Sequence, residues 1–226
     1  MLIRTIYNQA INNHIIDNKT YPFGKNGIVI KLPNSIKVGL VAVEVKILES
    51  LELEGYQRHA VNLWLLSFYF AGMRLSDVLT MKWSAFHDGR IYYAMNKNLK
   101  ADSIRIPEKA WSIIQQYKND PPKHGFVFPE LKVLDVLDPY EVQRKISFAG
   151  KRLEGNLKEI AKANGIDKKL SMHIARHSFA QIAGDKISIQ VLQELYRHSN
   201  ITTTISYQGN FVKEKTDNAL DSVLNF

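Results

Sequence analysis

The run Ala60–Ala71 limits this chain more than any other stretch. Val61, Leu63, Trp64, Leu65, Leu66, Phe68, Tyr69 and Phe70 leave it almost without a polar face. A helix that is apolar all round is buried all round, so the other elements must pack about it. It falls short of the ~20 residues that cross a bilayer, and no apolar run in the chain reaches that length. Gly72 ends it, where a turn calls for a residue without a Cβ. Arg74 follows at once, with Asp77 one turn later on a second short helix. Rigid packing positions an arginine at such a place. In isolation, a surface arginine paired with Asp77 reads at least as well.

The 226 residues suffice for one domain, or for a domain plus a fragment. Hydrophobic residues at 45% and charged residues at 23% fit a soluble globular chain with a real core. With no cysteine, disulfides and thiolate zinc sites are excluded. The absence of cysteine is also compatible with a cytosolic compartment, and the start, Met-Leu-Ile-Arg-Thr, lacks a signal-peptide layout. Lys and Arg total 30 against 22 Asp and Glu, a net charge of +8 with pI near 9.5. Such an excess favours a polyanion, nucleic acid first among them; a merely soluble basic protein is the plain alternative.

Residues 1–20 read as one amphipathic helix, with Ile3, Ile6, Tyr7, Ala10, Ile11 and Ile15 in helical period. Tyr21-Pro22-Phe23-Gly24 and Asn26-Gly27 break the chain as a linker, followed by an extended piece at 28–32. A further helix is expected over 41–51. Trp83–His87, Arg90–Met95 and Ser103–Ile106 carry strand preference, with Asp88-Gly89 as a hairpin turn. The second connection, 96–102, is polar and bears Lys97 and Lys100; loop lysines are mostly just solvated. Pro107 can open a helix to about Tyr117, and Phe126–Pro129 is a short apolar anchor.

The clearest amphipathic helix runs from Glu141 to about Asn164. Val142, Ile146, Ala149, Leu153, Leu157 and Ile160 fall within an arc of about 80°. Arg144, Lys151, Lys158 and Lys162 fall opposite, within about 40°, and Glu154 and Glu159 stay outside that stripe. A solvated face explains the stripe, and so does a ridge for phosphate contacts.

His173-Ile-Ala-Arg176-His177 lies on the next helix, about 172–184. His173 sits within about 60° of Arg176 and about 40° of His177. One permanent cation between two imidazoles suits a face that grips an anion and moves protons. Ser188 is a plausible N-cap for a helix over 189–197. The segment His198–Tyr207 has three threonines and two isoleucines, which weaken helix propensity, so a short and mobile piece is expected there. The tail 217–226 carries Ala219, Leu220, Val223 and Leu224 at helical spacing.

Two arginines around one phosphodiester can hold it bidentately and stabilise the charge of a pentavalent transition state. Tyr207, nine residues after His198, is a competent nucleophile if its proton has somewhere to go. Imidazoles titrate near working pH and suit that transfer. Other chemistries find no footing. His-Ile-Ala-Arg-His lacks the glutamate of a metalloprotease helix and puts an arginine where a cation would bind. There is no phosphate-binding glycine loop ending in Lys-Ser/Thr, no Gly-x-Ser-x-Gly elbow, and no carboxylate cluster for two-metal chemistry.

The chain resembles the catalytic domain of the tyrosine recombinase, or phage integrase, family over about residues 21–226. Ala71-Gly72-Met73-Arg74-Leu75-Ser76-Asp77 resembles the first arginine box. His173-Ile174-Ala175-Arg176-His177-Ser178-Phe179-Ala180 resembles the His-x-x-Arg box. Leu195-Tyr196-Arg197-His198-Ser199 resembles the third box, and Thr203-Thr204-Ile205-Ser206-Tyr207 the nucleophile box.

The resemblance implies a mainly helical fold with a small three-stranded antiparallel sheet over 83–106. It implies that Arg74 and Arg176 clamp the scissile phosphate, with His173 and His198 hydrogen-bonding it and assisting proton transfer. Tyr207 attacks to give a 3′-phosphotyrosyl link, with no metal, nucleotide or other cofactor. Lys97, with Lys100 in reserve, is the general acid toward the leaving 5′-oxygen. Asp77 is an acidic buttress and His177 a structural residue. Arg144, Lys151, Lys158, Lys162, Lys100 and Arg197 are expected to touch DNA. Tyr196-Arg197 departs from the usual glycine before the third-box histidine; a changed turn and an added phosphate contact by Arg197 are expected.

The expected partner is double-stranded DNA, with a monomer in solution and a homotetramer on DNA docked through 217–226. The expected role is that of a recombinase of a mobile element, in the cytoplasm of a bacterial or phage-infected cell. Residues 1–20 resemble the last helix of a preceding core-binding domain. A type IB topoisomerase-like activity, a non-catalytic DNA-binding protein on the same fold and a basic RNA-binding module are the rivals.

Overall fold

The apolar run forms the middle of α3 (Gly55–Tyr69), where every residue from His59 to Ser67 is buried. The structure is a computed structural model. It describes residues 2–24, 27–30, 38–95, 101–119, 123–135, 138–184 and 186–208, apart from the side chains of 101 and 206–208. The chain divides into two units, Met1–Ile36 and Lys37–Phe226.

In the first unit α1 covers Leu2–Asn12, shorter than the helix expected over 1–20. Its end closes at His14, which takes φ +56°. The Ile15 and His14 N–H groups cap Ala10 O and Ile11 O, each at 2.9 Å. A left-handed residue just past the last turn is a standard helix stop, and Asn13-His14 tolerates it better than most pairs. The segment expected as linker lies in this unit, with Phe23 edge-on to Tyr7 and Tyr21 at 6.0 and 5.6 Å.

In the second unit α2 (Ala42–Ser50), α5 (Glu108–Gln115), α6 (Pro139–Ala163) and α7 (Met172–Ala183) pack around α3. On α6, Ile146, Ala149, Leu153, Leu157 and Ile160 are buried as their spacing requires. Asp138 caps its start, accepting from Glu141 N–H at 2.9 Å, with Pro139 in the first turn. The indole of Trp64 donates to Ser171 O at 3.1 Å, which pins the beginning of α7 to α3.

A three-stranded antiparallel sheet is formed by β1 (Phe86–His87), β2 (Arg90–Ala94) and β3 (Ala101–Arg105), in that order. Asp88 and Gly89 take φ +53° and +67°, the left-handed pair that a two-residue hairpin needs. The register runs from Arg90↔Arg105 to Ala94↔Ala101. Trp83–Ala85, expected in the first strand, is instead a 3-10 turn. Its backbone is drawn elsewhere: Trp83 N–H donates to Gly125 O at 2.9 Å, and Val127 N–H to Met81 O at 3.0 Å. The buried anchor Phe126-Val127-Phe128 therefore captures residues that would have extended the sheet.

The remaining described α-helices are α4 (Leu75–Leu79), after the first arginine, and α8 (Ile189–Tyr196) and α9 (Ile201–Gln208), after α7. Ser188 caps α8, accepting from Val191 N–H. The segment after His198, for all its weak helix propensity, forms the eight-residue α9. Asn200 Oδ1 accepts from Thr202 N–H at 2.8 Å, Thr204 is fully buried, and the helix packs on α7 and α8. Tertiary burial outweighs the few tenths of a kcal/mol per residue by which threonine and isoleucine disfavour a helix. Residues 217–226 lie outside the described residues.

Candidate active site

Arg176 is the centre of the site and is only 2% exposed. A buried cation is costly unless its N–H groups are bonded. Here Nη1 donates to Gly72 O at 3.0 Å, and Nη2 to Tyr196 O at 3.1 Å and His198 Nε2 at 3.0 Å. The guanidinium lies 3.6 Å over the Tyr196 ring, and the Tyr196 hydroxyl donates back to Arg176 O. Each of these acceptors is neutral, so the bonds hold the guanidinium without cancelling its charge.

Guanidinium can only donate, so His198 Nε2 must accept. The proton of the neutral ring is then on Nδ1, which faces Thr204 Oγ1 at 3.0 Å. The carbonyl of His198 is held by Gln193 Nε2 at 3.1 Å. The second and third boxes and α9 thus meet through one arginine and one imidazole.

Gly72 ties in the first box. It takes φ +70°, and a Cβ there would stand 2.7 Å from Arg176 Cα and 2.8 Å from Cγ. Only a hydrogen lets the turn after α3 lie against α7. Two residues on, Arg74 is half-buried at the start of α4, with Nη1 3.7 Å from Met95 Sδ. It meets that thioether rather than the Asp77 carboxylate of the surface-pair reading. Thioether sulfur is a weak acceptor, so Arg74 gives up little by turning to an anion. Asp77 is 3% exposed beneath it on α4.

The rest of the α7 face splits by depth. His173 is exposed, whereas His177 is 4% exposed, their rings edge-to-face at 4.9 Å. Behind them Ser178 Oγ donates to Ile174 O and accepts from Leu40 N–H, both at 2.8 Å. A Cβ on Gly39 would fall 2.6 Å from the α7 backbone at Ser178. The 39–40 segment is therefore a backbone clamp on α7 that the sequence pattern did not reveal.

Arg197, expected to touch DNA, is buried in the structure. It is 7% exposed, with Nη1 donating to Tyr93 O at 3.1 Å and its guanidinium 4.1 Å over the Tyr93 ring. It takes φ +51°, ψ +37°, the left-handed turn that a glycine before His198 would adopt. The turn is kept, at a strain of ~1–2 kcal/mol for a residue with a Cβ, and the arginine is spent on β2 instead of solvent. Burial pushes the Tyr93 hydroxyl above the usual phenol range. The nearby Arg197, Arg176 and Arg74 cations pull the other way, and Asp77 adds to the rise.

Tyr207 lies on α9, three residues beyond Thr204, and its side chain is outside the described set. Lys97 and Lys100 also lie outside the described residues. Lys151, Lys158 and Lys162 are exposed along α6. Arg144 is exposed too, but Glu141 holds it, with Nη2–Oε2 at 2.6 Å and Nε–Oε1 at 3.1 Å. That pairing at i,i+3 was readable in the sequence. Tyr196, Thr204 and Tyr93 carried no comparable signal.

A helical domain here holds Arg176 between Gly72, Tyr196 and His198, with Arg74 two residues beyond Gly72 and His173 one turn before Arg176 on α7. The sequence matches the phage integrase family over residues 45–214, and the chain belongs to that family. It is 29% identical over 169 residues to a tyrosine recombinase of Thermosipho africanus, covering 74% of this chain and 54% of that protein. It is 29% identical over 183 residues to tyrosine recombinase XerA of Pyrococcus furiosus, covering 78% and 59%. The chain thus spans little more than half the length of these relatives.

Similar solved structures include the XerH site-specific recombinase bound to a palindromic difH substrate, with TM-score 0.63, 20% identity, and coverage of 88% of this chain and 58% of that one. The Tn1549 transposon integrase in complex with a circular intermediate DNA gives TM-score 0.60, 16% identity, and coverage of 90% and 71%. These likenesses bear on the fold, which is the mainly helical one with a small antiparallel sheet.

Proposed function

We propose that the chain is a site-specific DNA recombinase that cuts and rejoins strands through a 3′-phosphotyrosyl intermediate, acting for a mobile element. The observation that carries this reading is the Arg176–His198 contact at 3.0 Å inside a family member whose nucleophile-box tyrosine follows on α9. Two of the neighbours in fold, XerH and the Tn1549 integrase, are described as bound to DNA substrates.

In this mechanism the scissile phosphate binds between Arg74 and Arg176. Nη2 of Arg176 now divides its two hydrogens between Tyr196 O and His198 Nε2. An entering phosphate oxygen takes the place of His198, and His198, once protonated, donates to the same phosphate. Tyr207 Oη attacks phosphorus as its proton leaves toward the exposed His173 side. The phosphorus–5′-oxygen bond breaks, and Lys97 (or Lys100) protonates that oxygen. Attack by a partner strand's 5′-hydroxyl on the phosphotyrosine reverses the step. The ester conserves the bond energy, so no nucleotide is consumed. No group in this scheme requires a metal or cofactor.

Residues 21–226 serve as the catalytic domain and 1–20 as the end of a core-binding domain. Lys151, Lys158 and Lys162 contact the DNA backbone. The protein is monomeric free and tetrameric on DNA through 217–226, and works in the cytoplasm.

A nicked suicide duplex carrying the cognate site tests the reading. Wild-type protein should form a covalent protein–DNA adduct, and Tyr207→Phe none. Absence of adduct with wild-type protein, or its persistence in Tyr207→Phe, overturns it. Relaxation of supercoiled plasmid lacking any specific site would point to a topoisomerase instead.

A further inference from the structure

Among the described residues, Arg197 is the one buried arginine of the second unit that the reaction above does not use, and its geometry is specific. Its backbone makes the left-handed turn between α8 and His198. Its side chain reaches across to β2, stacking on the Tyr93 ring at 4.1 Å and donating to Tyr93 O at 3.1 Å. Two residues along the same strand direction, Met95 is buried with its sulfur 3.7 Å from Arg74. On the other side, His198 holds Arg176 at 3.0 Å. Three contacts, Arg176 to His198, Arg197 to Tyr93 and Met95 to Arg74, are thus joined by backbone, directly at 197–198 and through Ala94 between Tyr93 and Met95.

We propose that Arg197 is a positioning residue, a brace that sets the distance between the two phosphate-binding arginines. It fixes the turn carrying His198 and Arg176's acceptors against the strand that backs Arg74. This rests on the recombinase reading for its consequence in catalysis, but not for its structural content. A glycine would make the turn without strain. An arginine in that place is explained by what its far end holds. Lysine would keep the charge but not the flat face that stacks on Tyr93 or the rigid fork that bonds its carbonyl.

The test compares Arg197→Gly and Arg197→Asn, both suited to a left-handed turn, with Tyr93→Phe and Tyr93→Leu. Rates of adduct formation are read at saturating nicked duplex, and the dissociation constant separately. Arg197→Gly, Arg197→Asn and Tyr93→Leu should each slow the adduct step roughly 10- to 100-fold, as a sub-ångström to ångström misplacement does. The dissociation constant should stay within about twofold. Tyr93→Phe, which keeps ring and carbonyl, should be close to wild type. The double variant Arg197→Gly/Tyr93→Leu should be no slower than the slower single one.

A full rate in both Arg197 variants overturns the brace. So does a loss confined to DNA affinity, which would return Arg197 to a phosphate contact. If wild-type protein forms no adduct, the recombinase reading has failed, and amide exchange then decides the brace. Arg197→Gly should raise exchange at Tyr93–Met95 roughly tenfold while α3 is unchanged; equal protection there overturns it.

Discussion

The α7 face and the α6 ridge both carry cations on one helical domain, and they do so in opposite ways. Arg176 is 2% exposed, with its N–H groups bonded to Gly72, Tyr196 and His198. Lys151, Lys158 and Lys162 are exposed on a helix whose other side fills the core. A buried, hydrogen-bonded guanidinium is oriented before any anion arrives, which is what transition-state stabilisation asks for. An exposed lysine is a mobile point charge, screened by salt over about 10 Å at 0.1 M, and suits sequence-independent attraction. Arg144 falls between the two, exposed but held by Glu141.

This contrast can be broken most directly at its buried end. Arg176→Ala should lower adduct formation by about 10²–10³-fold, the usual loss when one donor to a developing charge is removed. Arg176→Lys should recover little of it, because one ammonium cannot replace the fork. A loss under tenfold in single-turnover assays would place Arg176 among the merely structural residues.

Next in size is Gly72→Ala. Strain at φ +70° and a methyl 2.7 Å from Arg176 Cα should together cost about 2–4 kcal/mol in urea unfolding. A cost below about 1 kcal/mol would mean that the α3–α7 approach can relax.

The two histidines sharpen the comparison within α7 itself. His177→Ala, at a buried site, should cost about 2 kcal/mol of stability, and His173→Ala, at an exposed one, under about 0.5 kcal/mol. The rate should fall in the reverse order, with His173→Ala slowing the adduct more than its stability loss can explain. Equal effects on both measurements would erase the division.

The smallest effects belong to α6. Lys151→Ala and Lys158→Ala should each weaken DNA binding a few-fold at low salt and reduce the salt slope by about one. Arg144→Ala should do less than either, since Glu141 already offsets its charge. Unchanged low-salt affinity in the lysine variants would leave the ridge a solvated face.

Local rules carried the sequence reading a long way. The apolar run marked α3, the seven-residue repetition of Ile146, Leu153 and Ile160 marked the buried side of α6, and Asp88-Gly89 marked the hairpin. The order and spacing of four short boxes indicated the family. The failures share one cause. Trp83–Ala85 left the sheet because Gly125 and Phe126 offered its backbone other partners. The helix α9 formed although its residues favour it weakly, because Thr204 is buried against the elements that hold His198. Arg197 turned inward because Tyr93, 104 residues earlier, gave it a ring and a carbonyl.

By itself, then, the sequence determined which chemical groups exist and which of them share a helix face. Periodicity and turn chemistry act over one or two turns, and they are written in neighbouring residues. The depth of Arg176, the tautomer of His198 and the inward turn of Arg197 were decided only by the tertiary structure. Each depends on hydrogen-bond partners that packing brings from 20 to 104 residues away. Whether a cation is solvated or held by neutral carbonyls is a property of its surroundings, and no local pattern records them.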